Sequence, residues 1–327
     1  MGSEMYKQLT LKERYHIQAL IKVGYKQKEI AKEVGCSKST ISRELKRNSN
    51  PNGYKAESAE VATKQRHKSK PKDKAITKNI EKYIRKHLKL DWSPEQISGR
   101  MAKETDYKVS HETIYKYIYD NKSKNGKLYK NLRHKNKKYH KRGSQNSEKG
   151  VLKDRVMIEK RPKIVDKKVR FGDLEIDTVI GKEHRGALVT VVDRKSKFAL
   201  IKRVNTKSST EVKQALIDII RPIKSMIHTI TSDNGKEFAQ HKEIAKELGI
   251  DYYFANPYHS WERGLNEHTN GLIRQYLPKG SEFTNVSKEQ IATIQNRLNH
   301  RPRKSLGYKT PYEVFMTEYR RMVKKAS

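Results

Sequence analysis

The chain has a single cysteine, Cys36, in 327 residues. That excludes a disulfide framework and zinc sites built on cysteine pairs, and leaves Cys36 as a small apolar residue in a turn. No apolar run approaches the roughly 18 residues of a membrane-spanning helix, and no signal-peptide pattern opens the chain. The expectation is a cytoplasmic protein with no membrane partner. Negative charge is also scarce: 37 acidic residues stand against 73 Lys and Arg, a formal charge of +36.

The excess is uneven. Residues 1–170 hold 46 basic and 19 acidic side chains, whereas residues 171–300 hold 19 and 16. A strongly basic first half joined to a near-neutral second half points to a polyanion grip feeding a separate chemical module. With a membrane surface disfavoured, the polyanion expected is nucleic acid.

In residues 1–50, Ile17, Leu20 and Ile21 mark one helix ended by Gly24, and Ile30, Ala31 and Val34 a second ended by Gly35. Ser37 is placed to cap a third, with Ile41 and Leu45 facing inward. This is a helix-turn-helix pattern, and it predicts Lys38, Ser39, Thr40 and Arg43 in the major groove of DNA and Lys46 and Arg47 on phosphates. Residues 51–72 are polar, with Pro51, Gly53 and Pro71, and read as a linker with room for one short helix. A second helix-turn-helix-like unit follows at 73–121. There Ser93-Pro94 reads as a cap followed by a first helical residue, and His111, Glu112 and Thr113 open the last helix, which puts His111 and Thr113 forward as DNA contacts. Residues 122–170 read as a basic linker. Its first part, 122–142, has ten basic residues, no acidic one and few aliphatics, so an extended stretch that orders on phosphate is expected.

The remainder, 171–327, changes character. Three β-rich runs at 173–180, 186–193 and 197–204 predict an antiparallel meander. After it come a helix opened by Ser208 and Glu211, a strand near 226–231, a helix from about Glu237 to Leu248, a strand at 250–255, and a last helix. The order β-β-β-α-β-α-β-α predicts a mixed sheet flanked by helices, with the first and fourth strands side by side. Asp177 falls on the first strand, Asp233 just after the fourth and Glu267 on the last helix, so the three carboxylates are placed to share divalent cations, whose ligands are oxygens. Asp173, Glu175 and Asp177 recur with period two, a like-charge row that calls for an offsetting cation. Asn270 and Arg274, three and seven positions beyond Glu267, are expected on its helical face beside phosphate. Lys236 is a further DNA contact, and Gly264 and Gly271 are sites of close approach. His259 and His268 are explained by loop polarity and helix surface rather than as metal ligands.

The strings TSDNGKEF, SWERGLNEHTNGLIRQYLPKG, LNHRPRKSLGYKTPYEVF and STISRELKRN resemble the insertion-sequence-thirty family of bacterial transposases, over about Leu9 to Phe315. The resemblance implies all-α helix-turn-helix units followed by an α/β RNase H-like catalytic domain of the retroviral integrase type. It also implies a catalytic, metal-holding triad of Asp177, Asp233 and Glu267 with two Mg²⁺ (or Mn²⁺) ions. As partners it implies double-stranded DNA, both terminal inverted repeats and target, and a homodimer or larger multimer on the nucleoid. Where that family usually has an aromatic residue this chain has Leu174, so strand packing is expected to differ locally. The readings weighed against strand transfer are an inactive helix-turn-helix regulator and an RNase H-like nuclease that cuts without joining.

Overall fold

A computed structural model describes residues 8–69, 75–133, 152, 154–257 and 259–326. The chain divides into two compact units, Met1–Lys74 and Ala75–Ser327.

The first unit is built on α1 (Leu11–Lys22), α2 (Gln27–Val34) and α3 (Lys38–Asn48). Their inward stripes meet at Ile17, Ile30, Ala31 and Ile41, with Leu20, Val34 and Leu45 packed around them. Gly35 closes α2 in the left-handed conformation at φ 72°, which a side chain would strain. The Ser37 hydroxyl accepts the Thr40 amide at 3.2 Å and so opens α3. Ser37→Ala should therefore cost about 1 kcal/mol in the first turn of α3, read as roughly fivefold faster amide exchange at Ser39 and Thr40.

Residues 51–72, expected to link domains, carry more structure. The strands β1 (Ser49–Asn50) and β2 (Gly53–Tyr54) form a small hairpin, and α4 (Ala56–Ser69) lies against α1. This helix buries only Ala56 and Ala59 as apolar side chains. Polar ties do much of the rest: the buried Arg14 guanidinium donates to Glu44 at 2.8 Å and also meets Glu60, and Tyr15 donates to Glu57 at 2.7 Å.

In the second unit, α5 (Lys78–Leu88), α6 (Pro94–Glu104) and α7 (His111–Ser123) enclose Ile80, Ile84, Leu88, Ile97, Met101, Ile114 and Ile118. Ser93 caps α6 with Pro94 in its first turn, and Ser110 caps α7. The basic stretch beginning at Lys122 does not simply extend away. Leu128, Tyr129 and Leu132 pack back onto this core, and Lys122 sits 4.9 Å above the Tyr129 ring. Residues 134–142 of that stretch lie outside the described residues. Farther on, α8 (Ile164–Lys167) buries Val165, and Phe254 donates its amide to the Val156 carbonyl at 2.9 Å, so this segment covers a sheet edge.

The sheet has five strands: β3 (Asp173–Ile180), β4 (Ala187–Asp193), β5 (Ala199–Val204), β6 (Thr229–Ser232) and β7 (Asp251–Phe254). Their spatial order is β5-β4-β3-β6-β7. The first three form the expected antiparallel meander, and β6 and β7 add in parallel with Leu174 opposite Ile230. One face is covered by α9 (Ser209–Ile220) and α10 (His241–Leu248), over Leu174, Ile176, Val189, Val191 and Ile230. Leu174 is buried in that core, so a branched aliphatic fills the place where an aromatic was expected. The other face carries α11 (Gly264–Ile273) and α12 (Lys288–Asn299), over Val179, Leu188 and Ile201. The last helix, α13 (Pro311–Ala326), begins near Glu313, which pairs with Arg100 of α6 and ties the helical subdomain to the C-terminal segment. The result is the RNase H-like integrase architecture, with a helical helix-turn-helix region before it in the chain.

Candidate active site

Alternation along β3 sends Leu174 and Ile176 to one face and Asp173, Glu175 and Asp177 to the other, toward α11. The row of acids is offset differently from the expectation of a shared metal cation. Asp173 accepts from Arg170 at 2.6 Å and from Thr229 at 2.8 Å. Glu175, whose side chain is 2% exposed, takes Arg194 at 2.6 Å and the Asn266 amide at 3.2 Å. Two arginines thus neutralise the first two acids, because buried guanidinium forks fit carboxylates well.

Asp177 is held differently. Its Oδ2 accepts from Asn270 Nδ2 at 2.9 Å and its Oδ1 from the Thr178 amide at 2.8 Å. Asp233 follows β6, the parallel neighbour of β3, and its Oδ1 accepts the Gly235 amide at 2.9 Å. The two carboxylates converge on one guanidinium: Arg263 Nη1 lies 3.6 Å from Asp177 Oδ2, and Arg263 Nη2 lies 3.4 Å from Asp233 Oδ2. Burial pushes the Asp177 carboxyl up to about 6; Arg263 opposes this, while the charges of Asp233 and Glu237 add to it. Glu237 is itself buried, accepting from Thr178 at 3.0 Å and pairing with Lys207 at 2.7 Å.

Glu267 is not gathered in with them. It is exposed on α11, and among the described residues no three acidic or histidine side chains form a metal-sized group. Its helical stripe nonetheless points the right way. Arg263, four residues before it, and Asn270, three after it, both touch Asp177.

The families decide what such a chain is. The helix-turn-helix domain family matches residues 5–48, spanning α1 to α3, and the integrase core domain family matches residues 170–260, spanning the whole sheet. The transposase for insertion sequence element IS4351 of Bacteroides fragilis is 48% identical, over 95% of this chain and 96% of its own length. Transposase InsI for insertion sequence element IS30A of Escherichia coli (strain K12) is 34% identical, over 94% of this chain and 82% of its own length. The chain belongs to the IS30 family of transposases. It is a DNA transposase, a polynucleotidyl-transferase enzyme.

The transposase displays its DNA-reading candidates with a clear charge pattern. On α3, Lys38, Ser39, Arg43, Lys46 and Arg47 are exposed and Thr40 is half-buried. Glu44, the one carboxylate of that helix, is turned inward onto Arg14 and Tyr54, so the outer face is left cationic. Arg43 lies back along its own helix, donating to the Ser39 carbonyl at 3.0 Å and hydroxyl at 3.1 Å. Between α3 and α4 a cavity of about 410 Å³ is lined by Thr40, Arg43, Arg47, Arg66 and His67. On α7, His111 is exposed beside Glu112, and Thr113 is half-buried at the cap. Lys236 is exposed three residues beyond Asp233.

Arg274, expected beside phosphate, makes protein contacts at the end of the helix. α11 ends at Ile273, so Arg274 leaves the helical stripe. It donates to the Ile180 carbonyl at 2.7 Å and lies 5.3 Å over the Phe283 ring, clamping the end of β3. Arg263 was missed by the sequence reading because it precedes the helix; its one signal was a spacing of one helical turn before Glu267. Among the described residues no helix is long and apolar enough to cross a membrane.

Proposed function

We propose that this transposase binds the terminal inverted repeats of its element through α3, assisted by the start of α7, and cuts and rejoins DNA strands at Asp177, Asp233 and Glu267. The observation that carries the reading is the meeting of Asp177 and Asp233, from adjacent parallel strands, at a single cationic group.

That meeting also tests the residues against a divalent metal. The donor set is all carboxylate oxygen, which suits Mg²⁺ or Mn²⁺. The two aspartates already draw a protein cation between them, and burial with mutual repulsion raises Asp177. The oxygen chemistry of Asp177 and Asp233 suits such ions, and with Glu267, which stands apart from them, these are the residues that would hold two. Bound there, the ions would activate an oxygen nucleophile and stabilise the leaving oxygen at phosphorus.

The chain's own residues do the positioning. Asn270 fixes the Asp177 carboxylate, and Gly235 fixes that of Asp233. Arg263 holds the pair together, and Glu267 stands on the same stripe of α11. In the first reaction water attacks the phosphodiester at the element's end and releases a 3′-hydroxyl. In the second, that hydroxyl attacks a target phosphodiester and a target 3′-oxygen leaves. No protein–DNA bond is needed, so no serine or tyrosine nucleophile is required.

The test supplies the full chain with a pre-cut inverted-repeat end, labelled target DNA and Mg²⁺. Joined product supports the proposal. Cut but unjoined DNA would assign a nuclease, and binding without either product would assign a regulator. Assembly as a homodimer or larger multimer belongs to the same proposal, and two ends joined concertedly in that assay would support it.

A further inference from the structure

Beside α11, a second charged group has no part in the chemistry above. Arg301 is 3% exposed, and donates to Gln275 Oε1 at 3.1 Å and to the Tyr276 hydroxyl at 2.7 Å. Arg303 donates to the Leu298 carbonyl at 3.1 Å. Both Nε atoms are buried with no acceptor. Arg133 completes the group: a Cβ on Gly271 would lie 2.8 Å from its Nη2, so the guanidinium rests where any other residue would place a side chain.

No carboxylate among the described residues pairs with any of these three arginines. Asp91 reaches the group only by accepting the Tyr276 hydroxyl at 2.9 Å. The guanidiniums feel one another. Burial, then Arg301 and Arg133, pull Arg303 down to about 10. Three like charges gathered with buried, unmatched donors are costly unless an anion completes them.

We propose that Arg133 and Arg303, with the buried Arg301 behind them, form a phosphodiester site that grips the backbone of the DNA strand passing Glu267. Planar forks bind phosphate oxygens in pairs, and the oxygens of a phosphodiester would supply acceptors that these donors lack. The position suits the task. Gly271 lies one helical turn beyond Glu267, and with no side chain there the Arg133 guanidinium rests on the helix surface that a strand would cross. The inference rests on the strand-transfer reading for its choice of DNA over other phosphates.

The full-length protein with Arg133→Gln, Arg303→Gln, both together, or Gly271→Glu tests it. Binding of a short duplex without the inverted repeat is measured across salt concentrations in EDTA. Removing one arginine–phosphate interaction should flatten the slope of log affinity against log salt by about one. The glutamine variants should melt no lower than wild type, because each removes a repelling charge. Gly271→Glu should melt higher, since its carboxylate satisfies the arginines from within, and should flatten the slope as well. A wild-type slope in the double variant and in Gly271→Glu overturns the proposal, and lowered melting with that slope assigns the arginines to holding the fold. Inorganic phosphate is the second arm. If it raises the melting temperature of wild type but not of the double variant while the DNA slopes agree, the occupant is free phosphate, and the DNA assignment falls. The slope is read without metal or joining, so a wild-type protein that fails to join strands would sink the catalytic reading separately.

Discussion

Asp177→Asn should abolish strand joining while making the protein melt higher at pH 7.5 in buffer free of divalent cations. The loss follows from the carboxylate's place at the meeting of β3 and β6. Removing charge stabilisation worth several kcal/mol at phosphorus lowers the rate by about 10³-fold or more. The gain follows from the direction of the Asp177 shift. An ordinary aspartate ionises near 3.8, and burial moves this one to about 6. The folded state therefore holds the proton more tightly than the unfolded chain does. Below about pH 4 both states are protonated and the group is neutral in its effect. As pH rises from about 4 to about 6, the native protein must ionise a carboxylate that its surroundings disfavour, and stability falls. Above about 6 the penalty is complete, at most about 3 kcal/mol for a shift of this size.

Asparagine never ionises, so its advantage should be absent near pH 4, grow to pH 6 and stay level beyond. For a unit the size of Ala75–Ser327 that corresponds to roughly 3 to 10 °C in melting temperature. Calorimetry of both proteins at pH 4, 5, 6 and 7.5 decides it. A variant that melts lower than wild type at pH 7.5, or whose advantage is the same at pH 4, contradicts the assignment. Such opposition between stability and activity is expected where a site assembles charges for work rather than for folding.

Much of this architecture was legible because apolar spacing carried it. Val212, Leu216 and Ile220 on α9, and the runs that became β3 to β5, bury their stripes as their period requires. Cap residues were equally readable, since Ser37 and Ser93 each accept the amide their spacing predicted. The failures have physical causes. α4 packs through Ala56, Ala59 and a network of charges, so no aliphatic stripe announced it. Leu128 and Leu132 were too few to predict a packed turn inside a lysine-rich run, yet they sit on a core already made by α5 to α7. The acids of β3 were visible as a row, but period two does not say who neutralises them. Arg170 and Arg194 do so for Asp173 and Glu175. Of the three carboxylates expected to converge, Asp177 and Asp233 come together, and Glu267 shares their stripe without joining the cluster. The partner on which the first two converge, Arg263, precedes α11, and only its spacing of one helical turn before Glu267 pointed to it.

Those neutralising arginines lead to the largest expected effect on stability. Arg194 and Glu175 are 4% and 2% exposed at their side chains and meet at 2.6 Å. Arg194 also donates to the Val165 carbonyl at 3.1 Å, pinning α8 to the sheet. Truncating the pair on one side, as in Arg194→Met, leaves Glu175 in the interior without its ion-pair partner and with the Asn266 backbone amide as a remaining hydrogen-bond donor. Breaking a buried pair in this way costs about 3–5 kcal/mol, or roughly 6 to 20 °C for a unit of this length. The attraction itself is not the source of that loss, because desolvating both ions consumes most of it. The double variant Arg194→Met with Glu175→Met should therefore recover most of the melting temperature, since apolar side chains of similar volume replace a buried pair at little cost. The Asn266 amide would still lose its acceptor at the start of α11, which holds the recovery below wild type by about 1 kcal/mol. If the double variant melts as low as the single one, the cost lies in packing around Val165 rather than in an unpaired charge. The electrostatic account of the β3 row would then be wrong.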